Sequence, residues 1–165
     1  MDQKEIKSMK KSETKILLIG IGNSGRGDDG LGWAFLDQIK EWVPENVDMV
    51  YHYQLQVEDA ELLKYYDRVY FIDAFMGPLP EGYKIESCHP KAEESFTSHE
   101  MSPQGILHLA KTIYGVEPES YLVTISGEYF DLKEGLSEFA ENNLMQAVNY
   151  FKDDSKSRPK MSNKT

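Results

Sequence analysis

Two carboxylates and one imidazole stand at or beyond the ends of apolar segments, where chemically active side chains of a sheet protein gather. Asp29 comes shortly after the first apolar run, Asp73 ends the run at residues 70–72, and His99 precedes a predicted helix. This set of donors suits a first-row divalent metal such as nickel or zinc, and it leaves coordination positions open for a substrate. Each residue also has a simpler explanation, as a helix-start carboxylate, a turn cap or an ordinary loop histidine.

A glycine-rich loop at residues 20–25 has the spacing G-x-G-x-x-G after an apolar run, which is typical of a dinucleotide-binding loop. Such a site also needs an acidic residue at the end of the second strand, but residues 51–54 read Tyr-His-Tyr-Gln. Asp28 and Asp29 place like charges where a phosphate would dock. Nucleotide binding stays open as an alternative, as does a loop that only turns the chain. We expect Asp28 to bind nearby backbone amides.

Several other kinds of catalytic site do not fit the sequence. The one cysteine, Cys88, cannot form an internal disulfide or a cysteine-rich zinc site. His89 follows it directly, and because neighbours on a strand point to opposite faces, we expect a buried structural thiol. The chain lacks a His-Glu-x-x-His helix and a Gly-x-Ser-x-Gly turn, so neither an intrinsic zinc protease nor a serine hydrolase is indicated.

Strands and helices alternate along the chain, which predicts an α/β fold with a mostly parallel sheet and helices on both faces. Apolar runs and alternating segments predict strands at residues 15–20, 48–54, 68–74, 82–88 and 121–127, the fourth suiting an edge position. Apolar residues at three- and four-residue steps predict helices that begin at Asp29, near Ala60, at Ser102 and at Ser137. Ligands of such sheets bind beyond the C-terminal ends of the strands.

Length and charge indicate one domain. We expect a flexible N-terminal extension at residues 1–14, a single domain at 15–152 and a disordered polar tail at 153–165. The net charge of −10 argues against nucleic acid as a partner, because phosphate contacts need a basic surface. No apolar run reaches the roughly 20 residues of a membrane span, and the charged N-terminus has no secretion signal. We expect a cytoplasmic monomer with no membrane attachment.

Three segments together resemble the nickel–iron hydrogenase maturation endopeptidases. Residues 20–32 match the opening motif of that family, G-x-G-N-x-x-x-x-D-[DE]-x-x-G. Residues 71–74 are similar to its strand-end aspartate followed by alanine, and residues 98–103 to its histidine ahead of a helix. Residues 134–137 are similar to a late Gly-Leu-Ser turn. The resemblance covers roughly residues 15–150 and depends most on the first motif.

The resemblance implies a three-layer α/β/α sandwich around a twisted sheet of about five strands. It implies an endopeptidase that removes a C-terminal peptide from the large-subunit precursor of a hydrogenase, with Asp29, Asp73 and His99 contacting nickel. The precursor supplies this nickel, so no metal is permanently bound. Where family members have Glu or Asp at the first ligand position, Asp29 is the shorter of the two. The alternative from another class is a non-catalytic module that binds a metal or a nickel protein.

Overall fold

The computed structural model describes residues 14–93 and 100–153. The predicted extension at 1–14 and tail at 153–165 fall almost entirely outside these residues and stay predictions. The strands are β1 Ile16–Ile21, β2 Val47–His52, β3 Arg68–Met76, β4 Tyr83–Ser87 and β5 Glu119–Gly127. The helices are α1 Leu31–Ile39, α2 Asp59–Leu62, α3 Pro103–Tyr114 and α4 Glu138–Lys152. No helix in the described ranges is long and apolar enough to cross a membrane.

The five strands form one sheet in the order β2-β1-β3-β5-β4. The pairs β1–β2, β1–β3 and β3–β5 are parallel, and only β4 runs antiparallel, at one edge of the sheet. The prediction of a mostly parallel five-stranded sheet with an edge strand at residues 82–88 is confirmed. The chain leaves β1 toward β2 on one side and returns to β3 on the other. The C-terminal ends of β1 and β3 therefore flank the crevice where ligands bind in such sheets.

Both faces of the sheet are covered by helices, as the alternation of elements predicted. On one face, α1 and α4 pack on alternate residues of the central strands, such as Ile16, Tyr70 and Ile72. On the other face, α2 and α3 pack on the intervening residues, such as Leu17 and Phe71. All six residues of β1 are buried, which explains why this strand is a continuous apolar run. The architecture is a three-layer α/β/α sandwich.

The boundaries of two helices follow from local chemistry. The hydroxyl of Ser102 accepts a hydrogen bond from the Gly105 amide and caps α3, whose first residue is Pro103. Gly115 ends α3 in the left-handed conformation. The predicted helix beginning at Asp29 is corrected in detail: a 3-10 turn occupies Gly27–Gly30, and α1 follows from Leu31 and ends at Ile39. The apolar spacing also continues to Trp42 and Val43, but the helix does not, because a turn follows Ile39.

Candidate active site at the ends of β1 and β3

Asp73 lies at the crevice between β1 and β3. The parallel pairing of these strands ends at Gly20 and Ile72, so Asp73 is the first residue of β3 beyond the end of their ladder. It still pairs with Thr124 of β5 on its other side. On β3 it shares a face with Val69 and Phe71, which pack toward α2 and α3. The strand therefore carries this carboxylate out of the apolar core and into the open end of the sheet.

Asp29 reaches the same region from the loop after β1. It lies in the 3-10 turn, where its amide donates to the Arg26 carbonyl at 3.2 Å and its carbonyl accepts from the Asn23 amide at 3.2 Å. Gly22 makes this approach possible: at its φ of 142°, a Cβ atom would lie 2.0 Å from the Asp29 carbonyl oxygen. The glycine spacing is therefore required by the close contact of two backbone segments.

The charge of Asp29 acts on the carboxylate of Asp73. Burial raises the pKa of Asp73 to about 6, the amide of Ala74 opposes this shift, and the charges of Asp29 and Glu100 add to it. The Ala74 amide donates to Asp73 Oδ1 at 2.8 Å. A partly buried carboxylate whose pKa is raised by neighbouring negative charges favours the arrival of a cation or a proton. Asp29 therefore lies close enough to Asp73 for its charge to act on that carboxylate, and the role of both as site residues stays a prediction.

Asp29 is half-buried and has charges of both signs around it. Burial raises its pKa, and the charge of Glu100 acts in the same direction. The Asn23 amide and the guanidinium of Arg26 oppose this, but the net direction is upward. Since Arg26 is exposed on the turn, its charge is partly screened by solvent.

A cleft of about 350 Å³ opens beside Asp73. Its walls include two further acidic residues, Glu93 and Glu100, which the sequence analysis did not identify as site residues. Glu93 Oε1 accepts from both the amide and the hydroxyl of Ser102, at 2.9 and 2.6 Å, and so belongs to the start of α3. Glu100 acts electrostatically on Asp29 and Asp73. Its position next to His99 in the third motif was the signal that could have identified it.

Asp28 points away from the cleft and is fully buried. Its carboxylate accepts hydrogen bonds from the amides of Glu128, Tyr129 and Ser137 and from the Ser137 hydroxyl. Burial raises the pKa of Asp28, but these four hydrogen bonds outweigh it and hold the pKa below its ordinary value. The expectation that Asp28 binds backbone amides is confirmed, with one correction: these amides are about a hundred residues away in the sequence.

The amides of the glycine loop are engaged within the protein. Those of Gly22, Gly25 and Gly27 donate to the His52 carbonyl, the Asn23 side chain and the Lys133 carbonyl, respectively. A dinucleotide loop instead turns its free amides toward the pyrophosphate at a helix start. Here a 3-10 turn with two carboxylates occupies that position. The loop geometry therefore disfavours the nucleotide-binding alternative.

The third predicted site residue, His99, lies outside the described residues. Within residues 14–93 and 100–153, no three His, Cys, Asp or Glu side chains are arranged to hold a metal ion. The described residues include two of the three predicted site residues, Asp29 and Asp73, and their role as metal ligands stays a prediction. Cys88 is buried, and burial raises the pKa of its thiol to about 11, as expected of a structural cysteine.

Solved structures share this fold. The hydrogenase maturating endopeptidase HybD from E. coli has a TM-score of 0.64 at 21% identity, covering 82% of this chain and 88% of that chain. A [NiFe] hydrogenase maturation protease HycI from Thermococcus kodakarensis KOD1 has a TM-score of 0.62 at 23% identity, covering 82% of this chain and 88% of that chain. A hydrogenase 2 maturation peptidase from a Thaumarchaeota archaeon has a TM-score of 0.58 at 24% identity, covering 82% of this chain and 93% of that chain.

Neither a scan against protein-family models nor a search of curated proteins found a match. The similarity is therefore carried by the three-dimensional structure, over most of this chain and most of each relative. The fold that the motifs at residues 20–32, 71–74 and 98–103 predicted is confirmed: the chain has the α/β/α architecture of hydrogenase maturation endopeptidases.

Proposed function

We propose that this protein is an endopeptidase that removes a C-terminal peptide from the nickel-loaded large-subunit precursor of a nickel–iron hydrogenase. The single observation that carries the proposal is the convergence of Asp29 and Asp73 at the crevice between β1 and β3. That convergence occurs in a fold shared with proteins known as hydrogenase maturation endopeptidases or proteases. Described residues from all three motifs that carry the resemblance line the cleft, among them Ile21, Asp73 and Glu100.

The precursor brings the nickel, so the ion is part of the substrate. The carboxylates of Asp29 and Asp73 and the imidazole of His99 complete its coordination and hold the neighbouring peptide bond in the cleft. Carboxylate and imidazole are ordinary ligands for nickel. A partly buried acidic site without a cation carries unfavourable repulsion, which the incoming ion relieves. This makes a nickel-loaded precursor a better ligand than a nickel-free one.

Hydrolysis adds the oxygen of a water to the scissile carbonyl carbon, breaks the carbon–nitrogen bond and leaves a proton on the departing amine. Two assignments of the chemical step fit the residues. In the first, the nickel of the substrate polarises the carbonyl or activates the water. In the second, Asp29 or Asp73 accepts the proton from the water as a general base, and the nickel only marks and positions the substrate.

The test compares variants of the three proposed residues with a matched control. Asp29→Asn, Asp73→Asn and His99→Ala should each abolish processing of a nickel-loaded precursor while the protein stays folded. Asp48→Asn is the control, because Asp48 is also an aspartate of the sheet but lies near the N-terminal end of β2, where it accepts from the Tyr66 hydroxyl. It should process as the wild type does.

Intact-mass spectrometry of the precursor reads out the result as a loss of mass at the C-terminus. Normal processing by all three site variants would refute the site assignment. A wild-type protein that binds the nickel-loaded precursor without any loss of mass would instead establish the non-catalytic binding module. Running the same incubation with nickel-free precursor tests the recognition of nickel, and equal rates with both precursors would refute it.

A further inference from the structure

We propose that Asp28 is a positioning residue that fixes Asp29 beside the end of β1 by anchoring the Gly27–Gly30 turn to the chain segment between β5 and α4. This inference rests on the proposed function, in which Asp29 contacts the nickel of the substrate. It assigns separate roles to two adjacent carboxylates: the first is turned inward and holds the turn, and the second faces the substrate.

The anchor consists of four hydrogen bonds to one buried carboxylate. Asp28 Oδ2 accepts from the amides of Glu128 and Tyr129 at 2.8 and 3.0 Å and from the Ser137 hydroxyl at 2.8 Å. Asp28 Oδ1 accepts from the Ser137 amide at 2.7 Å. Charge-assisted bonds of this length are stronger than neutral ones, and their donors come from both ends of the segment at residues 128–137.

The backbone of the turn is fixed to the same segment. The Gly27 amide donates to the Lys133 carbonyl at 2.6 Å, and the Asp28 amide donates to the Tyr129 carbonyl at 2.7 Å. In return, the Lys133 amide donates to the Gly25 carbonyl at 3.1 Å. The turn and the segment therefore form one hydrogen-bonded unit, and the Asp28 side chain lies at its buried centre.

Close packing restricts how Asp28 can move. A Cβ atom on Gly127 would lie 2.6 Å from the Asp28 Cβ, so a glycine at the end of β5 is what admits this side chain. Asp29 follows by one residue, and its amide and carbonyl are themselves bound to Arg26 and Asn23. With the residue before it and its own backbone held, Asp29 has little freedom beyond its side-chain rotamer.

A buried carboxylate could also serve stability alone, and the experiment must separate the two roles. Asp28→Asn keeps the shape of the side chain but turns an amide group toward N–H donors, which leaves donors unsatisfied. Ser137→Ala removes the hydroxyl donor to Asp28 but leaves its carboxylate in place, and it also removes the hydroxyl that caps α4 by accepting from the Ala140 amide. Val148→Ala is the control, since this fully buried residue of α4 belongs to the apolar core and its side chain has no polar atom to hydrogen-bond the turn.

The measurements are kcat and KM for processing of nickel-loaded precursor, thermal unfolding of each variant, and crystal structures of the wild type and of each variant. Asp28→Asn should lower kcat by about 100-fold, because misplacing a reacting group by an ångström costs that much, and it should raise KM, because the displaced Asp29 also contacts the nickel of the substrate. Ser137→Ala should lower kcat by a smaller factor. Val148→Ala should keep the kcat of the wild type at a temperature where it is folded, even when it is destabilised as much as Asp28→Asn is.

In the crystal structures of Asp28→Asn and Ser137→Ala, the Asp29 carboxylate should be displaced or should occupy more than one position. The inference is overturned if Asp29 keeps its place in both variants, or if kcat falls no further than in Val148→Ala. A wild-type protein that does not process the precursor would refute the proposed function. The position of Asp29 in the crystal structures would still decide the role of Asp28.

Discussion

Substituting Gly22 by alanine should damage both stability and function, because this glycine lets the loop after β1 contact the Asp29 turn. Gly22 has a φ of 142°, which side chains with a Cβ rarely adopt. An added Cβ would also lie 2.0 Å from the Asp29 carbonyl oxygen and 3.2 Å from its carbonyl carbon. These neighbours are backbone atoms, so they cannot move aside as the tip of a flexible side chain can. The turn that carries Asp29 must shift by more than an ångström.

The expected loss of stability in Gly22→Ala is the sum of two contributions. Holding a non-glycine residue in a disfavoured backbone conformation costs roughly 1–3 kcal/mol. Displacing the Asp29 carbonyl breaks its 3.2 Å hydrogen bond with the Asn23 amide, which contributes about 1 kcal/mol. We therefore expect Gly22→Ala to lower the free energy of unfolding by roughly 2–4 kcal/mol, within the 5–15 kcal/mol typical of a domain. The displaced Asp29 should also abolish processing in the molecules that remain folded.

Gly115→Ala is the matched control. Gly115 also has a positive φ, 68°, but nothing lies within 4 Å of the position its Cβ would take. This variant should lose only about 1–2 kcal/mol and should process the precursor normally. Urea unfolding gives the two free energies, and intact mass of the precursor gives the activity. Equal losses of stability in the two variants, or normal processing by Gly22→Ala, would refute the reasoning.

Two further predictions concern groups outside the carboxylate pair. Burial raises the pKa of Cys88 to about 11, whereas a free thiol has a pKa of about 8.5, so the unfolded state loses its proton first as the pH rises. Between pH 9 and 11, the free energy of unfolding of the wild type should therefore fall by up to about 2 kcal/mol more than that of Cys88→Ala. Denaturant titrations measure both free energies, and the same pH dependence in the two proteins would contradict this prediction. Ser102→Ala removes the cap of α3 and a hydrogen-bond partner of Glu93, and should lower the free energy of unfolding by about 1–2 kcal/mol. A change in thermal unfolding no larger than that of an exposed Ser-to-Ala substitution would count against it.

Most of the fold could be predicted from the sequence because its signals are local. The fully buried β1 appears as an unbroken apolar run, and the capping Ser102, followed by Pro103 and ended by Gly115, marks α3 almost to the residue. The antiparallel β4 could be placed at an edge because its residues alternate. The split of the first helix into a 3-10 turn and α1 could not be predicted, since tertiary hydrogen bonds to residues 129 and 133 hold that turn.

Some residues of the candidate site could likewise be predicted from the sequence, and others could not. Asp29 and Asp73 could be identified because each follows or ends an apolar strand, and parallel strands gather their C-terminal ends at one edge. The partners of Asp28 could not, because all of them come from residues 128–137, which no spacing rule connects to residue 28. Glu100 was missed because its signal was only its position beside His99 in the third motif, and its effect on Asp29 and Asp73 depends on where the fold brings these charges.

The proposed function depends on Asp29, Asp73 and His99 binding one and the same cation. Crystals of the full chain soaked in a nickel or cadmium salt test this most directly, because anomalous scattering locates the ion without reference to activity. The proposal predicts one ion at the crevice between β1 and β3, bound by both carboxylates and by the imidazole of His99. An ion bound elsewhere, or an ion at the crevice with His99 turned away from it, would contradict the account.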